Sequence, residues 1–331
     1  MLKPGHKLYI SIISRQQERK GDRKNRQNSS YALRIFNYHR VKSGNGRFAI
    51  DAIDSNDFEK QIQILKKYFN IVPLEFAIRA LPRGELRPNS VCLTFDDGYM
   101  DNYEYAYPIL KRYNAPATIF LTTDFIGTGK YLWHDRILWA LEKAEVTELS
   151  FVRLGIENVV IADENVRKKF AISVLEKLKT FTPEERDEMI QELYQILNIN
   201  SFPQDILMLD WHQIKEMKSA GIAFGSHTKT HPILSMLKNE DLEEEVAGSK
   251  KIIESHLDTS IETFAYPNGR RGDFDERTKN ILVQNGYKCA VTTCHGLNNQ
   301  FHDLFELFRI SPWETDPHRF YGRLVLEQLC N

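Results

Sequence analysis

Three stretches carry side chains whose types and spacing could do chemistry. The first is Val91-Cys92-Leu93-Thr94-Phe95-Asp96-Asp97-Gly98-Tyr99, a largely apolar run that ends in two adjacent carboxylates and a glycine. Such a run, bounded by a turn signal, predicts a buried strand with both acids at its end, where α/β folds collect their chemistry. Neighbouring carboxylates repel, so keeping both charged calls for a cation or a proton close by. The second stretch is Gly225-Ser226-His227-Thr228-Lys229-Thr230-His231-Pro232. A His-x3-His pair presents both imidazoles on one face if the segment makes a helical turn. Its flanking glycine and proline predict a short turn at a strand end. The third is Phe264-Ala265-Tyr266-Pro267-Asn268-Gly269, another strand-to-turn junction. Asp97, His227 and His231 together would leave open positions on Zn²⁺ or a similar divalent ion (Co²⁺ or Ni²⁺ are the alternatives), which is a catalytic arrangement rather than a structural one. Taken singly, each stretch has a plain reading: an acid pair in a solvated turn, or histidines on a surface or in a core. The combination is what is specific.

The elements that must position these groups alternate between strand and helix. Tyr31 to Val41 predicts a first strand with a polar tip at His39. Asn56 and Glu59 form a capping-box pattern ahead of Phe58, Ile62, Leu65 and Phe69 at helical spacing. Ile71 to Leu74 reads as a short edge segment, because Pro73 cannot donate to a ladder. After the acidic strand come a helix from Tyr103 to Tyr113 and a strand from Ala117 to Thr122. The rhythm then breaks from about residue 131 to 203. That region is charged and helix-forming, with candidate helices at Trp133–Lys143, Glu164–Lys179 and Pro183–Leu197. It reads as an inserted helical subdomain, either a lid beside a cleft or a dimer surface. Alternation resumes with a helix from Asp210 to Ala220, stopped by Gly221. Strands follow at 222–224, 262–266, 288–292 and 307–310. Helices lie between them, and a closing helix runs from His318 to Leu329. About seven strand–helix repeats fit an α/β barrel better than an open doubly wound sheet.

The whole chain sets wider bounds. Its 331 residues, 42% hydrophobic, suffice for a barrel with an insertion. A formal net charge of −1 gives no global drive toward nucleic acid or an anionic membrane. Fourteen Tyr, 19 Phe and 4 Trp suit a sugar-binding cleft but are equally ordinary core material. Cys92, Cys289, Cys294 and Cys330 form no CxxC pair and read as buried free thiols. No segment approaches the roughly 18 apolar residues of a membrane span. Leu8 to Ser14 is too short and polar for a signal-peptide core. The expectation is therefore a cytoplasmic protein, with a secreted form whose signal has been trimmed as the alternative. Residues 1–30 carry Arg15, Arg19, Lys20, Arg23, Lys24 and Arg26 and read as a solvated, poorly ordered basic lead ahead of a domain over 31–331.

Thr94-Phe-Asp-Asp-Gly98, Ser226-His-Thr-x-x-His231 and Phe264-Ala-Tyr-Pro267 resemble the first three motifs of the polysaccharide deacetylase family, the NodB-homology domain. The resemblance spans roughly Tyr31 to Ile310 outside the insert. It implies a distorted (β/α)7 TIM-like barrel and metal-dependent hydrolysis of N-acetyl, or O-acetyl, groups on a polysaccharide or glycan precursor. It implies Asp96 as general base and Asp97, His227 and His231 as metal ligands. Backbone N–H groups near Tyr266 and Pro267 would steady the oxyanion.

The chain departs from the family pattern in three ways. Ala265 stands where an arginine is usual, and Arg309, in the last strand, could orient Asp96 instead or be an ordinary salt-bridged arginine. No late Leu-x-His is recognisable. His39, in Tyr38-His39-Arg40-Val41, resembles the early Tyr-His of the poly-N-acetylglucosamine deacetylase branch and takes the place of the acid. The 130 positions from Asp97 to His227 exceed the family spacing, and the insert accounts for the excess. Trp313 is placed as an aromatic wall of the acetyl pocket. Trp133-His134-Asp135 either meets a sugar or packs a helix. The alternative function is a catalytically degenerate carbohydrate-binding protein, and the expected partner in both readings is an N-acetylated glycan.

Overall fold

The protein is seen in a computed structural model that describes residues 32–43, 52–200 and 207–330. The basic lead of residues 1–30 lies outside them, as does the Cys330 side chain.

Strand β1 (Arg34–Tyr38) is followed by β2 (Arg40–Lys42), β3 (Ala52–Asp54) and helix α1 (Ser55–Tyr68). The side chain of Asp54, not Asn56, caps α1 by accepting from the Asn56 N–H. Short β4 (Asn70–Ile71) leads through Pro73 into α2 (Leu74–Ala80), so the expected edge segment ends three residues early. Strand β5 (Ser90–Phe95) is buried at every position, as a parallel strand covered on both faces must be. A wide π turn (Asn102–Ala106) opens α3 (Tyr107–Arg112), and β6 (Thr118–Leu121) follows.

The insert comprises α4 (Trp133–Lys143), β7 (Glu148–Phe151), β8 (Ile156–Val160), α5 (Glu164–Leu178) and α6 (Pro183–Ile196). Pro183 sits in the first turn of α6 behind a Thr182–Glu185 capping box. The insert was expected to be mostly helical, and no strand was expected in it, but β7 and β8 pair antiparallel. Leu149, Phe151 and Ile156 turn inward at strand spacing, and Gly155 makes the turn at φ 63°. These residues close a separate apolar core with Ile137, Leu141, Val174, Ile190 and Leu193.

The barrel resumes with α7 (Trp211–Ser219) and β9 (Ala223–Ser226). It continues through α8 (Asn239–Glu243), α9 (Ser249–Leu257), β10 (Thr263–Ala265), α10 (Glu276–Gln284), β11 (Cys289–His295), β12 (Leu307–Arg309) and α11 (Pro317–Cys330). The main sheet runs β1-β5-β6-β9-β10-β11-β12, with β4 flanking β5, and every pairing in it is parallel. Ile310 N–H donates to Ile35 at 2.8 Å and Asn37 N–H to Ile310 at 2.9 Å, which brings the last strand back against the first. The result is a nearly closed seven-strand barrel. Side chains alternate along each strand. Ile35, Cys92, Phe120, Ala265, Val291 and Leu307 form one cluster with α2. Phe36, Leu93, Ile119 and Phe264 pack with the outer helices. Cys92, Cys289 and Cys294 are free thiols. Among the described residues no helix is long and apolar enough to cross a membrane.

Candidate active site

Closing the barrel places three chain-distant groups around the end of β5. Asp96 N–H donates to the Tyr38 carbonyl at 2.9 Å, which sets His39 beside the first acid. Thr122 N–H donates to the Asp97 carbonyl, and His227 N–H to that of Leu121, so β6 lies between the second acid and the histidine stretch. Asp97 adopts φ 73°, and Gly98 follows at φ 85°. A side chain at Gly98 would put its Cβ 2.9 Å from the Leu121 side chain.

The histidine stretch is not the helical turn that its spacing allows. It is a loop with two left-handed residues, Thr228 at φ 69° and His231 at φ 60°. A β-branched residue there is strained, and strain of this kind collects at functional sites. Glu245 holds the loop, accepting from the N–H groups of Lys229 and Thr230 and from the Thr230 hydroxyl at 2.6–2.9 Å.

Asp97, His227 and His231 converge, all buried, with one ligating atom of each within 4.8 Å of the others. Asp97 Oδ1 lies 3.5 Å from Nε2 of both histidines and has no hydrogen-bond partner among the described residues. That separation is long for a hydrogen bond. It suits two ligands of one ion, since tetrahedral zinc bonds of about 2.0–2.1 Å set ligand atoms about 3.4 Å apart. His227 Nδ1 is 2.7 Å from the Ala265 carbonyl, which fixes the tautomer that exposes Nε2. Burial pushes His227 down to about 4 and His231 well below its ordinary value, so both imidazoles are neutral and able to ligate. Burial, with Asp96 and Asp135 adding repulsion, pushes Asp97 up to about 7, a penalty that a divalent cation would offset. The residues present fit a divalent metal.

Asp96 behaves oppositely. Burial alone would raise its pKa, but the Arg309 guanidinium, with His227 and His39, brings it down to about 2. Arg309 donates to both Asp96 oxygens at 2.7 Å and is itself anchored on the Thr292 carbonyl at 2.7 Å. His39 Nε2 stands 3.8 Å from Asp96 Oδ2.

These groups open onto a cleft of about 820 Å³. Trp313, 65% exposed, lies on its wall with the Arg323 guanidinium 4.0 Å over one face of the ring. Leu138, Ile172, Leu175 and Glu176 bring the insert to the cleft, and Arg270 ties it to the β10 loop through both oxygens of Glu176. Trp133, His134 and Asp135 also line it.

The expectation for Tyr266 and Pro267 needs correction. Neither lines the cleft. The Tyr266 ring stacks on Phe274 at 3.8 Å, and its hydroxyl donates to the Phe305 carbonyl. Proline has no N–H, and the Tyr266 N–H already donates to Val291, so this pair offers no donor to an oxyanion. The next residue, Asn268, does line the cleft, and its buried Nδ2 has no partner among the described residues. Sequence reasoning also passed over Asn37, a buried polar side chain in an otherwise apolar strand, and Tyr99, an aromatic directly after Gly98. A polar residue inside a buried strand was the available signal for Asn37.

An all-parallel barrel with a two-histidine, one-carboxylate donor set at its strand ends defines the class of the protein. The chain belongs to the polysaccharide deacetylase family, whose sequence profile, described as "Polysaccharide deacetylase", matches residues 83–290. It is 25% identical over 280 residues to YxkH of Bacillus subtilis (strain 168), which is named as a polysaccharide deacetylase; the match spans 84% of this chain and 70% of that protein. It is 33% identical over 117 residues to the poly-β-1,6-N-acetyl-D-glucosamine N-deacetylase of Staphylococcus epidermidis, covering 31% of this chain and 39% of that one. The fold is shared with the Streptococcus pyogenes deacetylase PplD solved with acetate, at a TM-score of 0.60 and 23% identity over 90% of this chain and 98% of that one.

Proposed function

We propose that the protein is a metal-dependent deacetylase that hydrolyses N-acetyl groups of a glycan. The observation that carries this reading is the pairing of two environments on adjacent acids. Asp97 faces two neutral histidines, while Asp96 faces a guanidinium. A divalent ion such as Zn²⁺, held by Asp97, His227 and His231, would supply Lewis-acid polarisation of the acetyl carbonyl and acidify a water. Asp96, kept ionised and aimed by Arg309, accepts the proton of the attacking water. His39, on the cleft wall beside Asp96, hands a proton to the leaving amine. Trp313 offers its open face to a sugar ring, and the poly-N-acetylglucosamine relatives support an amino-sugar substrate.

The degenerate-binder alternative rests on the arginine missing at Ala265 and on the absent late histidine, for which His39 is proposed as the replacement. Arg309 fills the arginine's place beside Asp96, which favours turnover. The test is acetate release from N-acetylglucosamine oligomers by purified protein with Zn²⁺ or Co²⁺. Asp96→Asn should lower kcat about 10²–10⁴-fold while Zn²⁺ still binds. Glycan binding with no turnover in any metal would replace this reading with the binder.

A further inference from the structure

Trp313 stands in a segment with no ladder to hold it. Between β12 and α11, residues 311–315 take part in no backbone–backbone hydrogen bond among the described residues. Side chains reach them instead. Gln61 Nε2, on α1, donates to the Pro312 carbonyl at 3.0 Å and to that of Glu314 at 2.9 Å, one on each side of the tryptophan. Arg323, on α11, donates to the Ser311 carbonyl at 3.2 Å and lays its guanidinium over one face of the Trp313 ring. Gln61 is 1% exposed, on the helix face that otherwise buries Phe58, Ile62 and Leu65. Both N–H groups of its amide go to the segment, and its oxygen accepts from the Tyr38 hydroxyl at 2.8 Å. A buried amide engaged at both ends has one orientation, and it imposes one on the carbonyls it holds.

We infer that Gln61 and Arg323 are positioning residues for Trp313: they fix the segment that carries the ring, and so set the affinity for a glycan without touching the reacting atoms. The inference rests on the reading of Trp313 as the sugar face. A ring on a loose segment must be ordered when the sugar binds, and that cost comes off the affinity. A ring already held at the required angle is spared it, which is what supporting side chains do for a binding site. Gln61 also links two parts of the cleft. Tyr38 directly precedes His39, so one buried amide ties the strand end that carries His39 to the segment that carries Trp313. A plainer role for Gln61 exists, as the partner of two carbonyls that would otherwise go unsatisfied where α1 packs on the barrel. That role would move the melting temperature and leave glycan affinity alone.

The experiment combines fluorine NMR of full-length protein labelled with 5-fluorotryptophan, acetate release from and calorimetric binding of N-acetylglucosamine oligomers, and thermal melts. The four tryptophans give four resonances, and the one lost in Trp313→Phe is assigned to that ring. Gln61→Met and Arg323→Met should each move the Trp313 resonance, raise KM about 2–12-fold and leave kcat nearly unchanged. Added to Trp313→Ala, neither should raise KM further, because each acts through the ring it supports. Ile62→Val, a buried change on the same helix, should lower the melting temperature with the Trp313 resonance and KM unchanged. If Gln61→Met does not fold, Gln61→Glu, which keeps the acceptor for Tyr38 but not both donors, takes its place. A Trp313 resonance left where it was, or a KM that rises in Trp313→Ala and not in the Gln61 and Arg323 variants, overturns the inference alone. A rise that multiplies with that of Trp313→Ala does the same. Wild-type KM in Trp313→Ala overturns the reading of Trp313 as the sugar face, and the inference with it. Protein that neither binds nor turns over the oligomers has the same consequence.

Discussion

Arg309→Met is the substitution that most directly probes the pair at the centre of the site. Arg309 is 1% exposed and Asp96 is 1% exposed, so neither charge has water to fall back on. The descent of the Asp96 carboxyl from its ordinary 3.8 to about 2 corresponds to about 2 kcal/mol of favourable interaction that survives the burial penalty. Removing one partner of a buried ion pair strands the other, at a cost of about 3–5 kcal/mol. Methionine also gives up the bond to the Thr292 carbonyl and the 3.2 Å contact to Thr94 Oγ1. Urea unfolding at pH 7 should therefore show a loss of about 3–5 kcal/mol.

The pH dependence has a definite sign. The folded-state pKa of Asp96 lies below its unfolded value, so its stabilisation is complete above about pH 4 and drains away as pH falls toward 2. The gap between wild type and variant should narrow over that window. A cation at Asp97 would hold Asp96 lower still, which leaves the direction unchanged. Arg309→Lys should fall between the two, because an ammonium cannot match both carboxylate oxygens. Wild-type stability and kcat in Arg309→Met at pH 7 would refute the claim that this pair holds the base.

Two further substitutions probe the support of the ligands and the cleft. A Cβ at Gly225 would sit 2.5 Å from Thr263 Oγ1 and 2.6 Å from the Phe120 ring. Gly225→Ala should thus cost about 1–3 kcal/mol by overpacking and displace the strand that leads into His227, read out by thermal melting and Zn²⁺ titration. Trp313→Ala should raise KM for N-acetylglucosamine oligomers about 2–12-fold, the worth of one aromatic face, with kcat nearly unchanged in steady-state acetate assays.

The fold was legible where local signals agreed with the global one. The run into Asp96 reads as a strand because every residue of β5 is buried and the acids follow at once. Thr182, Pro183 and Glu185 announce the start of α6 through capping chemistry that needs no tertiary context. The β7–β8 hairpin was missed because its residues sit in a charged, helix-rich region, and only Leu149, Phe151 and Ile156 keep the inward alternation. Tyr266 was misplaced for a different reason. A strand residue next to a turn can point to either face, and a shift of one position exchanges core for cleft. Here Tyr266 went to the core, and Asn268, at φ 57° in the turn, lines the cleft.

The arginine is the more instructive case. The residue position that sequence comparison favours, Ala265, contributes only its carbonyl, to His227 Nδ1. Its side chain is fully buried in the cluster that α2 closes, a place where a guanidinium would be stranded. The charge Asp96 needs comes instead from β12, 213 positions further along the chain. No spacing rule links Thr94-Phe-Asp96 to Phe308-Arg309, and the two meet only because the barrel closes through Ile35 and Ile310. The same closure sets His39 against Asp96. Relocating a charged partner to another strand of a closed barrel preserves the distance that matters while erasing the linear motif. In such a fold, a missing motif residue is therefore weak grounds for assigning an inactive site, and the strands that flank the acidic one are where its replacement should be sought.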